Sequence, residues 1–65
     1  MVSKVEITIF QKDIEQPGMY TEVEHVICST LEEYEKALKY ALEADNAEMK
    51  FFEGDRCTLA CRTKM

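Results

Sequence analysis

The sequence predicts an α+β domain of ββαββ order, and three observations carry that prediction. Residues Lys4–Lys12 alternate apolar and polar side chains with period two. Thr30-Leu-Glu-Glu33 has the form of a helix capping box and opens an amphipathic stretch reaching about Asp45. The segments flanking that helix each hold two extended runs around a glycine-containing turn. These five elements use nearly all of the 65 residues, so residues 1–65 read as one small domain without linker, repeat or low-complexity segment.

In the first strand Val5, Ile7 and Ile9 share one face, while Lys4, Glu6, Thr8, Phe10 and Lys12 share the other. β-Branched residues at this period mark a half-buried strand. The run Asp13-Ile-Glu-Gln-Pro-Gly18 holds the single proline, and Pro-Gly suits the central positions of a type II turn. A second strand follows from Met19 to about Cys28. Its alternation fails at Val26-Ile-Cys28, which predicts a bulge near His25 or burial of both faces beside the helix.

In the helix Leu31, Tyr34, Leu38, Ala41 and Leu42 recur at three- and four-residue spacing as one apolar stripe, with Tyr40 on the opposite side. Glu32, Glu33 and Glu35 suit the positive end of the helix dipole. Asp45-Asn46 supplies a stop, because asparagine tolerates the left-handed conformation at a helix end. The third strand, Ala47 to Glu53, places Met49 and Phe51 on one face and Lys50 and Phe52 on the other. Glu53-Gly-Asp-Arg56 is a hairpin turn in which Gly54 takes a positive φ. In the fourth strand Cys57, Leu59 and Cys61 lie opposite Arg56, Thr58, Ala60 and Arg62.

One helix must cover the apolar face of the sheet, and a right-handed crossover leads from strand two to strand three. Placing the least charged strands in the middle predicts the order 2-1-4-3, with strands one and four central and parallel. This order of elements resembles the β-grasp arrangement of small immunoglobulin-binding bacterial domains. In such a sheet Val5, Ile7 and Ile9 lie beneath the helix together with Cys57, Leu59 and Cys61, and Phe10 and Phe52 turn away from it.

The chain carries 8 basic and 13 acidic residues, a net charge of −5. That balance argues against non-specific DNA binding, which draws its affinity from neutralising phosphates. A core this small leaves only a few kcal/mol of net stability, which predicts self-association as a homodimer. Three cysteines cannot all pair within one molecule, and no apolar run resembles a signal peptide or approaches the ~20 residues of a membrane span. A cytoplasmic location, away from the membrane, is the expectation.

His25, Cys28, Cys57 and Cys61 are the residue types of a zinc site. Their spacing fails, because Cys57 and Cys61 on one strand stand roughly 13 Å apart at ~3.3 Å per residue. Ligands of one zinc lie within about 4 Å of each other. His25 as a catalytic base has no evident orienting group, and no nucleophile elbow, phosphate loop or HExxH pair is present. The expectation is therefore no metal, no cofactor and no enzyme activity.

Outward Phe10 and Phe52, with Tyr20 near them, read as an apolar interface patch rimmed by charge. Glu32, Glu33, Glu35 and Glu43 give the helix an acidic surface, with Tyr40 as an anchor. These features predict a non-enzymatic protein-binding module, similar to the small inhibitors that bacterial viruses make, which occludes a larger host protein. The alternative is a single-stranded nucleic-acid binder that uses Lys4, Lys12, Lys50, Arg56 and Arg62 around the same aromatics on the open sheet face.

Overall fold

The computed structural model describes residues 2–64 and has the ββαββ order. The elements are β1 (Lys4–Lys12), β2 (Tyr20–Cys28), α1 (Leu31–Glu43), β3 (Asn46–Glu53) and β4 (Arg56–Arg62). They build one four-stranded sheet with the helix on one face, an α+β architecture.

The strand order differs from the expected 2-1-4-3. It is β2-β1-β3-β4 with every neighbouring pair antiparallel, so β1 and β3 are central and β4 is an edge. The β-grasp arrangement, with its parallel central pair, is not formed. Charge on the third strand had suggested an edge position, but Glu48 and Lys50 project to the open face, where a central strand of a one-sided sheet tolerates them. The opposite row of β3, Ala47, Met49 and Phe51, pairs with Ile9, Ile7 and Val5 of β1 and supplies the second apolar row under the helix. β2 and β3 are both antiparallel to β1, hence parallel to each other. α1 is the crossover between them and passes over β1.

The core is Val5, Ile7, Ile9, Cys28, Ala37, Ala41 and Ala47, with Val26, Tyr34, Ala44, Met49 and Phe51 packed around it. The helix therefore docks through alanines. Small side chains at Ala37 and Ala41 bring its backbone close to β1, and Tyr34 and Leu38 are half-buried beside them. Leu31 and Leu42, expected in the buried stripe, are 71% and 60% exposed. At ~100° per residue they lie well to one side of the line through Ala37 and Ala41.

The capping box forms as read. Glu33 N donates to Thr30 Oγ1 at 3.2 Å, and Glu33 Oε1 accepts from Thr30 N at 3.2 Å. The helix ends at Ala44, whose backbone is extended, so no left-handed asparagine stops it. Asn46 instead opens β3, buried, with Oδ1 accepting from Ala47 N. Asp45 Oδ2 accepts from Lys12 N at 2.8 Å, which ties the end of β1 to the helix terminus.

Met19 N donates to Gln16 O across Pro17-Gly18, and Gly18 has φ 89°, the signature of a type II turn. Gly54 has φ 60° in the second hairpin. The bulge in β2 falls at Val23, where Ile9 faces Glu24 and Phe10 faces Glu22, two residues before the expected place. A second irregularity at Thr58 lies between the pairs Phe51–Leu59 and Phe52–Cys57.

Ile7 is fully buried beneath the alanines. Ile7→Ala is expected to cost about 2–5 kcal/mol, because methyl groups are lost and the site cannot fully collapse. For a domain of this size that removes most of the stability, which urea unfolding followed by circular dichroism would measure. Thr30→Ala, which removes the cap, is expected to cost about 1 kcal/mol in the same assay.

Candidate functional site

The helix contacts β1, β2 and β3 and leaves the near side of β4 uncovered. Leu59 pairs with Phe51 and Cys61 with Met49, so both stand on the helix side of the sheet, as their parity predicted. They are not beneath the helix. Leu59 is 58% exposed and all of β4 is open to solvent. Cys57 departs further, since the irregularity at Thr58 sets it opposite Phe52 on the other face. The expected buried row of Cys57, Leu59 and Cys61 is thus absent.

Beside this bare strand lies one flank of α1. Tyr34 meets Phe51 of β3 with ring centroids 6.2 Å apart, whereas Glu33, on the other flank, acts on Cys28 of β2. Leu31, Leu38 and Leu42 project from the Tyr34 side, toward β3 and β4. Leu31 and Leu42 are exposed on this flank, and Met49, Phe51, Leu59 and Cys61 share the adjoining face of β3 and β4. Near the helix N-terminus lies a cavity of about 290 Å³ whose lining includes Val2, Val5, Cys28, Leu31, Tyr34 and Phe51. The sequence held the signal for this surface: two apolar rows on two hairpins exceed what one helix covers. Leu31, Leu42 and Leu59, which periodicity alone assigns to the core, are exposed.

The open face arranges the expected interface residues differently. Phe52 pairs with Lys4 and Phe10 with Asn46, six residues apart along β1, about 20 Å at ~3.3 Å per residue. Lys4 Nζ sits 4.9 Å from the centre of the Phe52 ring. Phe10 shares the far end with Tyr20, which pairs with Lys12. Phe10 and Phe52 are half-buried and do not form one patch. Between them stand His25 Nε2 and Glu6 Oε1 at 2.8 Å, and Glu48 with Lys50 at 3.4 Å and Arg62 at 3.5 Å.

Those pairings break up the basic residues. Lys50 and Arg62 share Glu48, and Lys4 lies on Phe52, while Lys12 and Arg56 stand near opposite ends of the sheet. The outer side of the helix is mixed, since Lys36 and Lys39 lie among Glu32, Glu35 and Glu43 at helical spacing. Glu33 is engaged in the cap, and Tyr40, 65% exposed, lies on the β2 side of the helix.

The four zinc-type residues do not converge. His25 is on the open face against Glu6, Cys28 is buried on the helix face, and Cys57 and Cys61 are on β4. Among the described residues no cluster of three or more His, Cys, Asp or Glu side chains is placed to hold a metal ion. No helix among them is long and apolar enough to cross a membrane. No family model, curated protein or solved structure matches the chain.

Burial raises the Cys28 thiol above its ordinary 9.0, and the carboxylate of Glu33 pushes it the same way. A thiol that ionises less readily when folded contributes stability below pH 9.0, and this is lost as pH rises toward the folded value. Unfolding free energy is therefore expected to fall above pH 9.0, and Cys28→Ala is expected to flatten that fall, in urea titrations on either side of it.

Proposed function

We propose that the protein is a non-enzymatic binding module, a small inhibitor or modulator of the kind made by bacterial viruses. It works in the cytoplasm as a homodimer and occludes a larger host protein. One observation carries this reading. Leu31, Leu42 and Leu59 are each more than half exposed beside a core whose largest fully buried side chain is Ile7. A domain that leaves three of its four leucines more than half exposed while burying alanines has apolar surface to offer a partner. Phe10 with Tyr20 at one end of the open face, and Phe52 at the other, form secondary contact points.

The helix contributes Tyr40 on its β2 side and the carboxylates of Glu32, Glu35 and Glu43 on its outer surface. Such rim charges steer association and select against unlike partners more than they add affinity. The nucleic-acid alternative draws less support, because Lys50 and Arg62 are already paired with a carboxylate.

Side-by-side affinity capture from host extract tests the reading, with the wild type against Leu42→Asp and Leu59→Asp. Both sites are exposed, so the variants are expected to fold. A protein held by the wild type and weakened at least about fivefold, roughly 1 kcal/mol, on both variants supports the proposal. Equal capture by all three, or none by the wild type, contradicts it. Labelled single-stranded RNA and DNA are expected to show no shift even at low salt.

A further inference from the structure

We propose that a second copy of the chain adds to the sheet at β4, the two β4 strands pairing antiparallel about a two-fold axis to give one eight-stranded sheet. This deepens the self-association within the proposed function by assigning it a surface.

Among the described residues β4 has a hydrogen-bonded neighbour on one side only. Thr63 N donates to Ala47 O at 3.0 Å, which sets the alternation of the β3–β4 ladder. Glu48–Arg62 and Lys50–Ala60 are then the pairs whose N–H and C=O groups point away from each other. The backbone groups of Ala60 and Arg62 face outward along the free edge. A row of that kind is a template for another strand.

The two edges of the sheet differ. Both edge strands are irregular, β2 at Val23 and β4 at Thr58, but β2 also presents the charges of Glu22 and Glu24, which deter pairing. The segment Cys57–Cys61 of β4 has no charge and no proline. Isologous pairing needs a strand complementary to itself. β4 meets that need with an uncharged centre between Arg56 and Arg62, each arriving with a carboxylate across the ladder: Glu53 opposite Arg56, and Glu48 at 3.5 Å from Arg62.

Between the two edges, charge favours joining two copies through β4 over joining them through β2. Residues 47–65 carry 4 basic and 3 acidic groups, whereas residues 1–46 carry 4 basic and 10 acidic. Two copies meeting through β4 keep their acidic parts far apart, while meeting through β2 brings them together. The joined strands also set Leu59 and Cys61 of both copies side by side on the helix face. The two helices would stand roughly 24 Å apart, five strand spacings of ~4.8 Å, and the apolar strip would stay open between them.

The test is Ala60→Pro. It removes a donor that points outward and leaves the hydrogen bonds to β3 in place. Light scattering from micromolar to millimolar concentration is expected to give the wild type twice the 7.6 kDa of one chain, and the variant 7.6 kDa with an unchanged circular dichroism spectrum. A folded variant that still dimerises overturns the β4 assignment and leaves self-association standing. A wild type at 7.6 kDa throughout overturns self-association itself. If the variant fails to fold, amide exchange of the wild type decides. The Ala60 and Arg62 amides should slow as concentration rises, and exchange there that is independent of concentration overturns the proposal.

Discussion

An α-helix with its side chains is about 10–12 Å across, while the outer axes of four strands at ~4.8 Å spacing lie about 14 Å apart. One helix of 13 residues has to shield that width, and it does not reach. The crossover from β2 to β3 centres α1 over β1, so the row Val5, Ile7 and Ile9 is covered by Ala37 and Ala41. Whatever lies two strands away is left open, and that strand is β4. The exposed Leu59, the leucine flank of the helix and the unpaired sheet edge all follow from this mismatch of widths.

The use of alanine at the contact sharpens the effect. Small residues draw the helix down onto β1, which favours close packing of the isoleucines. Leu31 and Leu42, on the flank of the helix, stay exposed instead of lying between helix and sheet. The buried side chains come from β1, β2, β3 and one helix face. The remaining apolar surface, Leu31 and Leu42 on the helix and Leu59 on β4, stays exposed.

Local signals in the sequence were legible because each depends on neighbours a few residues away. The Thr30–Glu33 cap, the Pro17-Gly18 turn, Gly54 and the alternation of Val5, Ile7 and Ile9 all formed as read. Strand order depends on which row docks beside β1, and charge on the third strand misled because Glu48 and Lys50 fall on a solvated face. Parity placed Leu59 and Cys61 on the correct side, yet parity says nothing about whether a helix lies above. Cys57 was lost to an irregularity at Thr58 that no turn residue announces. Phe10 and Phe52 share a face, but sharing a face set no limit on their separation along it.

The helix covers β2, β1 and β3 and leaves β4 exposed. Nuclear Overhauser contacts in the protein test this most directly. The expected pattern joins Ile7 to Met49 across an antiparallel β1–β3 ladder and Ala41 to Ile7, with Leu59 near Phe51 but outside the helix contacts over β1. Contacts joining Ile7 to Leu59 in a parallel β1–β4 pair, or Leu59 to Ala37 and Ala41, would contradict it.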